Sequence, residues 1–182
     1  MFMLTNCFGK EKNYTKEKVA KLHFYVQDLR IGHVSATVSE VATASVTKDS
    51  PYDFGSVHVL DDLVTAEPAI DSRPIGRVQG LTTNADLSTY GIAMNLNFHF
   101  TAGKFAGSQL SILGRNQDDK RELPVVGGTG AFRFTRGYAI QTTYSIDFPA
   151  HYAVLEYTVY ATYDSEIGKS DEDVEFDGVN VR

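Results

Sequence analysis

A carboxylate that falls in phase with an apolar strand face is a candidate for chemistry, and this chain has one in Asp28. Leu22, Phe24 and Val26 alternate with His23, Tyr25 and Gln27, and Asp28 continues the apolar side. Such a side chain points into an interior or its mouth. Desolvation there raises a carboxyl pKa unless Arg or Lys answers it, and a raised pKa is what a general acid needs. The residues equally allow Asp28 to cap a turn over 29–32. Arg77, between Pro74 and Gly80, reads either as a buried structural ion-pair partner or as a ligand contact. Asp61 and Asp62 follow Val57, Val59 and Leu60 and read as a strand-end turn. Gly127-Gly128-Thr129-Gly130 lacks the Lys-Ser/Thr of a phosphate loop and is followed by strand-like residues, Ala131-Phe132-Arg133-Phe134, so it reads as a glycine turn with positive φ. His23, His33, His58, His99 and His151 show no metal-ligand spacing, and Cys7 is the only cysteine. Neither a Cys-based zinc site nor an internal disulfide is available, and no metal is expected. Asn13-Tyr14-Thr15 is a glycosylation sequon, relevant only in a secreted chain.

The composition narrows the class. The chain has 182 residues, 42% hydrophobic and 22% charged, which suits one folded domain rather than a disordered chain. A net charge of −6 offers no basic excess for counterion release, which argues against nucleic-acid binding. No apolar run approaches the ~18–20 residues of a membrane span, and the start of the chain does not read as a signal peptide.

The elements that would position Asp28 are strands. Tyr90, Ile92, Met94, Leu96, Phe98 and Phe100 alternate with polar or small residues, and 151–160 does the same with Ala153, Leu155, Tyr157 and Val159. Further strands are expected at 33–43, 55–60, 75–84, 108–114 and 131–146. With 22–28 this makes about eight antiparallel strands, which favours an all-β barrel or sandwich. Residues 1–18 read as a polar tail, 19–163 as the domain and 164–182 as an acidic tail. The alternation sends Leu22, Phe24, Val26, Met94, Leu96, Phe98, Leu155 and Tyr157 inward.

Five collinear strings resemble the plant dirigent family, and in its dirigent-like subgroup: Leu22 to Asp28, Phe54 to Asp62, Gly76 to Gly80, Gly107 to Asn116, and Glu122 to Ala139. The resemblance covers about 22–163. It implies an eight-stranded antiparallel β-barrel, trimeric, secreted to the apoplast, with no cofactor of its own. It also implies a small phenolic substrate, steered either in radical coupling beside an external laccase or peroxidase, or in ring closure through a quinone methide. Whether the chain is an enzyme in its own right depends on which. The alternative function is a non-catalytic module that binds a phenol or glycan in wall deposition. No nucleic acid or membrane partner is implied.

Carried over position by position, Asp28 matches the family's strand-one aspartate and Arg121 a basic pocket residue, and these two are the catalytic candidates. Asn116 stands where pinoresinol formers have a second aspartate, while Thr82 and Asn84 replace two pocket tyrosines. His151, chosen over Tyr152 because it is in phase with Ala153, takes an aromatic pocket position. Phe24 and Phe98 complete the expected substrate contacts. The missing carboxylate and tyrosines weigh against a pinoresinol-type reaction. A tight Asp28–Arg121 pair would keep Asp28 ionised and make it an orienting group rather than an acid.

Overall fold

The computed structural model describes residues 17–30, 36–117 and 119–164. The runs read above as tails lie outside these residues except for Glu17, Lys18 and Asp164, as do Cys7, His33 and the sequon. Among the described residues nine antiparallel strands follow one another: β1 (Glu17–Leu29), β2 (Val38–Ala42), β3 (Val57–Thr65), β4 (Pro74–Asn84), β5 (Ile92–Phe100), β6 (Gln109–Asn116), β7 (Lys120–Thr129), β8 (Gly137–Asp147) and β9 (Tyr152–Asp164). Their order is β1-β9-β8-β7-β6-β5-β4-β3-β2, and β1 also pairs with β3. That last pairing, Tyr25 opposite Thr65 to Gln27 opposite Leu63, closes eight strands into a barrel. Closure removes the two exposed edges an open sheet would carry. β2 is a ninth strand outside the ring, paired with β3.

The expected all-β barrel is therefore present, but its strands differ from the expected set: the strand expected at 33–43 is β2, outside the ring, and two other stretches change. No strand is expected over 120–129, where Pro124 and the Gly127-Gly128 turn signal stand, yet β7 runs through it. Its ladder to β6 runs only from Gln109 opposite Thr129 to Ile112 opposite Val125, with an irregularity between Ser111 and Ile112. Pro124 lies past that ladder, where its missing N–H breaks no bond to β6. The expected strand at 131–146 instead begins with a 3-10 turn, Gly130–Phe132, and a left-handed Phe134 at φ 61°. The strand proper restarts at Gly137. Gly130, at φ 61°, carries the positive φ expected of that glycine turn. A different demand falls on Gly80, where a Cβ would sit 1.9 Å from the Asn95 carbonyl oxygen, so only glycine lets β4 and β5 approach so closely.

The inward face is as alternation predicts. Phe24, Val26, Met94, Leu96, Phe98, Tyr157 and Val159 are all buried in one cluster. Phe24 stacks on Tyr157 at 5.7 Å and 15°, and Phe98 meets both rings at 5.2 and 5.3 Å. This triad fills the middle of the barrel, and Phe100, Phe105, Phe132 and Tyr163 pack the end beyond it. One end is thus closed by rings, leaving the other to hold a ligand. Phe98→Ala should cost about 3–5 kcal/mol, because the rigid sheet cannot collapse into the space. A urea melt reads this as a lower midpoint at unchanged slope.

The outer face of β1 is covered at Tyr25 and Gln27, while Val19, Lys21 and His23 stay exposed. Tyr25, out of phase with Phe24 and Val26, is on the outer face but only 7% exposed. Tyr144 packs edge-on against it at 5.5 Å. The loop between β3 and β4 covers its neighbour: Gln27 donates to Thr65 Oγ1 at 2.7 Å and to the Pro68 carbonyl at 3.2 Å.

Candidate functional site at the open end of the barrel

The open end holds a cavity of about 310 Å³. Its wall is built from the ends of several strands. β1 supplies Asp28, β5 Ile92, β6 Asn116, β7 Arg121, β8 Thr143 and Ile146, and β9 Ala153 and Leu155. Turns add Arg30, Tyr90, Phe148 and His151. Tyr90, Ile92, Ile146, Phe148 and Leu155 give apolar surface, while Asp28, Arg30, Asn116, Arg121 and Thr143 give polar contacts. With Asp147 and His151 also in the lining, the wall is evenly mixed apolar and polar, which can take a hydroxylated ring compound.

Asp28 is 4% exposed and does point inward. Its partner is Arg30 and not Arg121. Arg30 Nε donates to Oδ1 at 2.9 Å, and Nη2 donates to Oδ2 at 2.9 Å, a two-pronged clamp. The backbone holds Arg30 in place, since its N–H donates to the His151 carbonyl at 2.8 Å. Burial opposes the guanidinium charge, but the Asp28 bonds outweigh it and raise the Arg30 pKa further. Arg121 lines the same cavity and donates from Nη2 to Thr143 Oγ1 at 3.1 Å.

A second carboxylate stands behind the first. β3 runs on to Thr65, so Asp62 is mid-strand, which corrects its reading as a strand-end turn. Asp62 is opposite Val78 of the core and is 2% exposed. The β1–β3 register, carried one residue past Gln27 and Leu63, sets Asp28 against Asp62. There the two strands part. Thr37 enters between them, its N–H bonded to the Leu29 carbonyl at 2.9 Å and its carbonyl accepting from Asp61 N–H at 2.9 Å. Its Oγ1 donates to Asp62 Oδ1 at 2.5 Å. Burial, then the nearby Asp28 charge, push the Asp62 pKa up to about 7, against the pull of Thr37, Arg30 and Arg77. Tyr157, fully buried close by, is raised well above the usual phenol range by burial, with the charges of Asp62 and Asp28 adding to this.

Of the sequence-predicted site residues, the fold brings together Asp28, Arg121, Asn116 and His151. His151 does so from the β8–β9 turn, at φ 50°, with Tyr152 beside it in the same wall. Tyr152 turns its hydroxyl outward to Gln27 Oε1. Thr82 and Asn84 are buried on β4 but do not line this cavity, and the Asn84 amide is spent on the Tyr52 carbonyl at 3.0 Å. Phe24 and Phe98 lie in the ring triad beneath it. Arg77 is an exposed ion-pair partner, its Nε 2.5 Å from Asp61 Oδ1. Sequence reasoning missed Arg30, Asp62, Tyr90 and Phe148. Asp62 had a signal, because Leu60, Asp62 and Val64 share one phase once the strand is extended. Among the described residues no His/Cys/Asp/Glu group could hold a metal, and no helix is long and apolar enough to cross a membrane.

A closed eight-stranded antiparallel barrel with a polar pocket at one end is the class that this architecture defines. The chain matches the family described as Dirigent-like protein over residues 19–162. It is 40% identical to Dirigent protein 11 of Arabidopsis thaliana, covering 88% of this chain and 87% of that one. It is 38% identical to Pterocarpan synthase 1 of Glycine max, covering 82% of each. A solved pterocarpan synthase dirigent protein superposes with a TM-score of 0.74 at 39% identity, covering 82% of this chain and 87% of that one. The chain belongs to the dirigent family. Membership, with pterocarpan synthases among the relatives, is consistent with directing the stereochemistry of a small phenolic intermediate.

Proposed function

We propose that this protein closes a ring stereoselectively on a phenolic benzylic alcohol of the isoflavanol class, through a quinone-methide-like cation and with loss of water. The observation that carries the reading is the cavity itself: a mixed apolar and polar wall with a buried carboxylate, Asp28, placed in it by strand ends. Its size and polarity suit one fused phenolic molecule, and the identity to pterocarpan synthases supports the same chemistry. The reaction changes no oxidation state, so it needs no oxidase. The catalytic gain comes from orientation in a dry pocket and from a proton supplied to the leaving hydroxyl. Asp28 and Arg121 face the reacting groups, Asn116 and His151 bind hydroxyls, and Tyr90 and Phe148 pack on the rings.

Two parallel reactions test this by chiral chromatography, each with and without the protein. One holds an isoflavanol and no oxidant; the other holds coniferyl alcohol and a one-electron oxidant. Accelerated, enantioselective closure in the first is expected. Enantiomeric excess in the second alone would replace ring closure by radical coupling beside an external laccase or peroxidase.

We also propose a homotrimer, secreted to the apoplast. In support, Val59, Leu81, Leu113 and Val126 leave exposed apolar side chains on the outer faces of β3, β4, β6 and β7. Asn95 stands between Leu81 and Leu113 in the register, so the band carries no charge along that row. An uncharged strip of this kind is what a self-association face presents. Light scattering should give three times the chain mass, and the mass of a single chain would overturn the trimer.

A further inference from the structure

The cavity-facing carboxylate is the one that a guanidinium holds at both oxygens, whereas the carboxylate behind it has no such clamp. We propose that Asp28 and Asp62 share one proton across the β1–β3 seam, that it rests on Asp62, and that this pair, rather than Asp28 alone, supplies the proton for departure of the benzylic hydroxyl. The inference rests on the ring-closure reading above and deepens it.

Three observations place the proton. Asp28 Oδ1 and Oδ2 both accept from Arg30, which leaves Asp28 as the acceptor of the pair. Asp62 receives one neutral hydroxyl, from Thr37, and is enclosed by β1, β3 and the core. Two carboxyls at adjacent inward positions, with Arg30 clamped on one of them, cannot both be ionised at low cost. The charged and titratable groups facing Asp62 are Asp28 and Arg30 from the β1 end, Arg77 from β4 and Tyr157 from β9. Arg77 is already spent on the Asp61 carboxylate at the barrel surface. The raised Asp62 pKa, about 7, agrees with this placement.

The step balances. The pair gives its proton to the benzylic hydroxyl, and the C–O bond breaks with both electrons leaving on oxygen as water. The remaining cation is an O-protonated quinone methide, stabilised by its ring phenol and by the carboxylate now left in the pair. A second phenolic hydroxyl adds to the benzylic carbon, forming the ring C–O bond. Its released proton recharges the pair. The sum is one cyclic ether and one water from one diphenolic alcohol. Asp28 touches the substrate; Asp62 is a positioning residue that acts through it.

The test is Asp62→Asn, which keeps shape and a hydrogen bond to Thr37 but removes the proton site. Closure of the benzylic alcohol should slow by about 10²–10⁴-fold. The wild-type rate should fall as pH rises through about 7, and this limb should vanish in the variant. A benzylic acetate substrate, which leaves without a proton, should restore the variant to within a few-fold of wild type. A variant that keeps the pH limb, or fails equally on the acetate, would show a merely structural role and overturn the proposal. Carboxyl ¹³C NMR of the protein alone separates this from failure of the ring-closure reading. A resonance titrating near 7 in wild type and absent in Asp62→Asn supports the shared proton even if no isoflavanol is turned over. Its absence from wild type overturns the proposal whatever the substrate.

Discussion

Replacing Arg30 by methionine destabilises the barrel by about 2–3 kcal/mol at pH 8, the largest stability effect expected among the charged residues of the cavity. Breaking a buried ion pair leaves an uncompensated charge, and here the charge left behind is Asp28, 4% exposed. The figure lies below the ~3–5 kcal/mol of a fully enclosed pair because the Arg30 side chain is 40% exposed and water screens it. The loss depends on pH through Asp62. Its folded pKa is raised from 3.8 to about 7, so the folded state binds the proton more tightly than the unfolded chain does. Stability from that proton is fully present below about 4 and fades as pH rises through 7. Above pH 7 the Arg30→Met variant faces two buried carboxylates with no clamp; at pH 5 it faces one. Thermal melts at the two pH values should therefore diverge more for the variant than for wild type. Arg30→Met combined with Asp28→Asn should recover most of the loss, since no orphaned charge remains. Equal destabilisation at both pH values would mean that the Arg30 packing, and not its charge, matters.

Asp28→Ala is expected to abolish the enantiomeric excess of the product and to slow ring closure by about 10²–10⁴-fold, with little change in melting temperature. Asp28 lies buried in the cavity wall, and on the proposed mechanism it links the substrate to Asp62. On that mechanism its removal would delete both the contact that orients a hydroxyl and the route for the proton. The fold tolerates the change because Arg30, partly exposed, can turn to water, and because one of two crowded carboxylates is gone. Asp28→Asn distinguishes the two tasks. It keeps a hydrogen-bonding group for orientation, so part of the selectivity should survive while the rate stays low. Chiral chromatography for excess and single-turnover kinetics for rate read these separately. Undiminished excess in Asp28→Ala would remove Asp28 from the mechanism.

Much of this protein is written in local periodicity. Alternation in Leu22 to Asp28, in Ile92 to Phe100 and in Ala153 to Val159 already assigned an all-β fold and the inward residues, because side-chain direction in a strand depends only on position parity. The same parity placed Asp28 inside. The family resemblance brought Arg121 and Asn116 to the pocket. Local signals failed where backbone breakers sit inside a strand. Pro124 and the Gly127-Gly128 pair hid β7, whose proline is harmless only because the β6 ladder has ended beside it. Asp61-Asp62 looked like a turn because two acids in a row end most strands, whereas here Asp61 meets Arg77 outside and Asp62 turns inward.

Only closure of the barrel decided the site's chemistry. Whether Asp28 is answered by Arg121 or by Arg30 depends on how the strand-end loop folds back, and the backbone bond from Arg30 to His151 settles it. Whether a second acid exists depends on β1 meeting β3, two strands distant in sequence and joined by three paired positions. Parity says that a side chain points inward; it says nothing of what it meets there. That is fixed by the register around the ring, a long-range property, and it is why the carboxylate pair appears only in three dimensions.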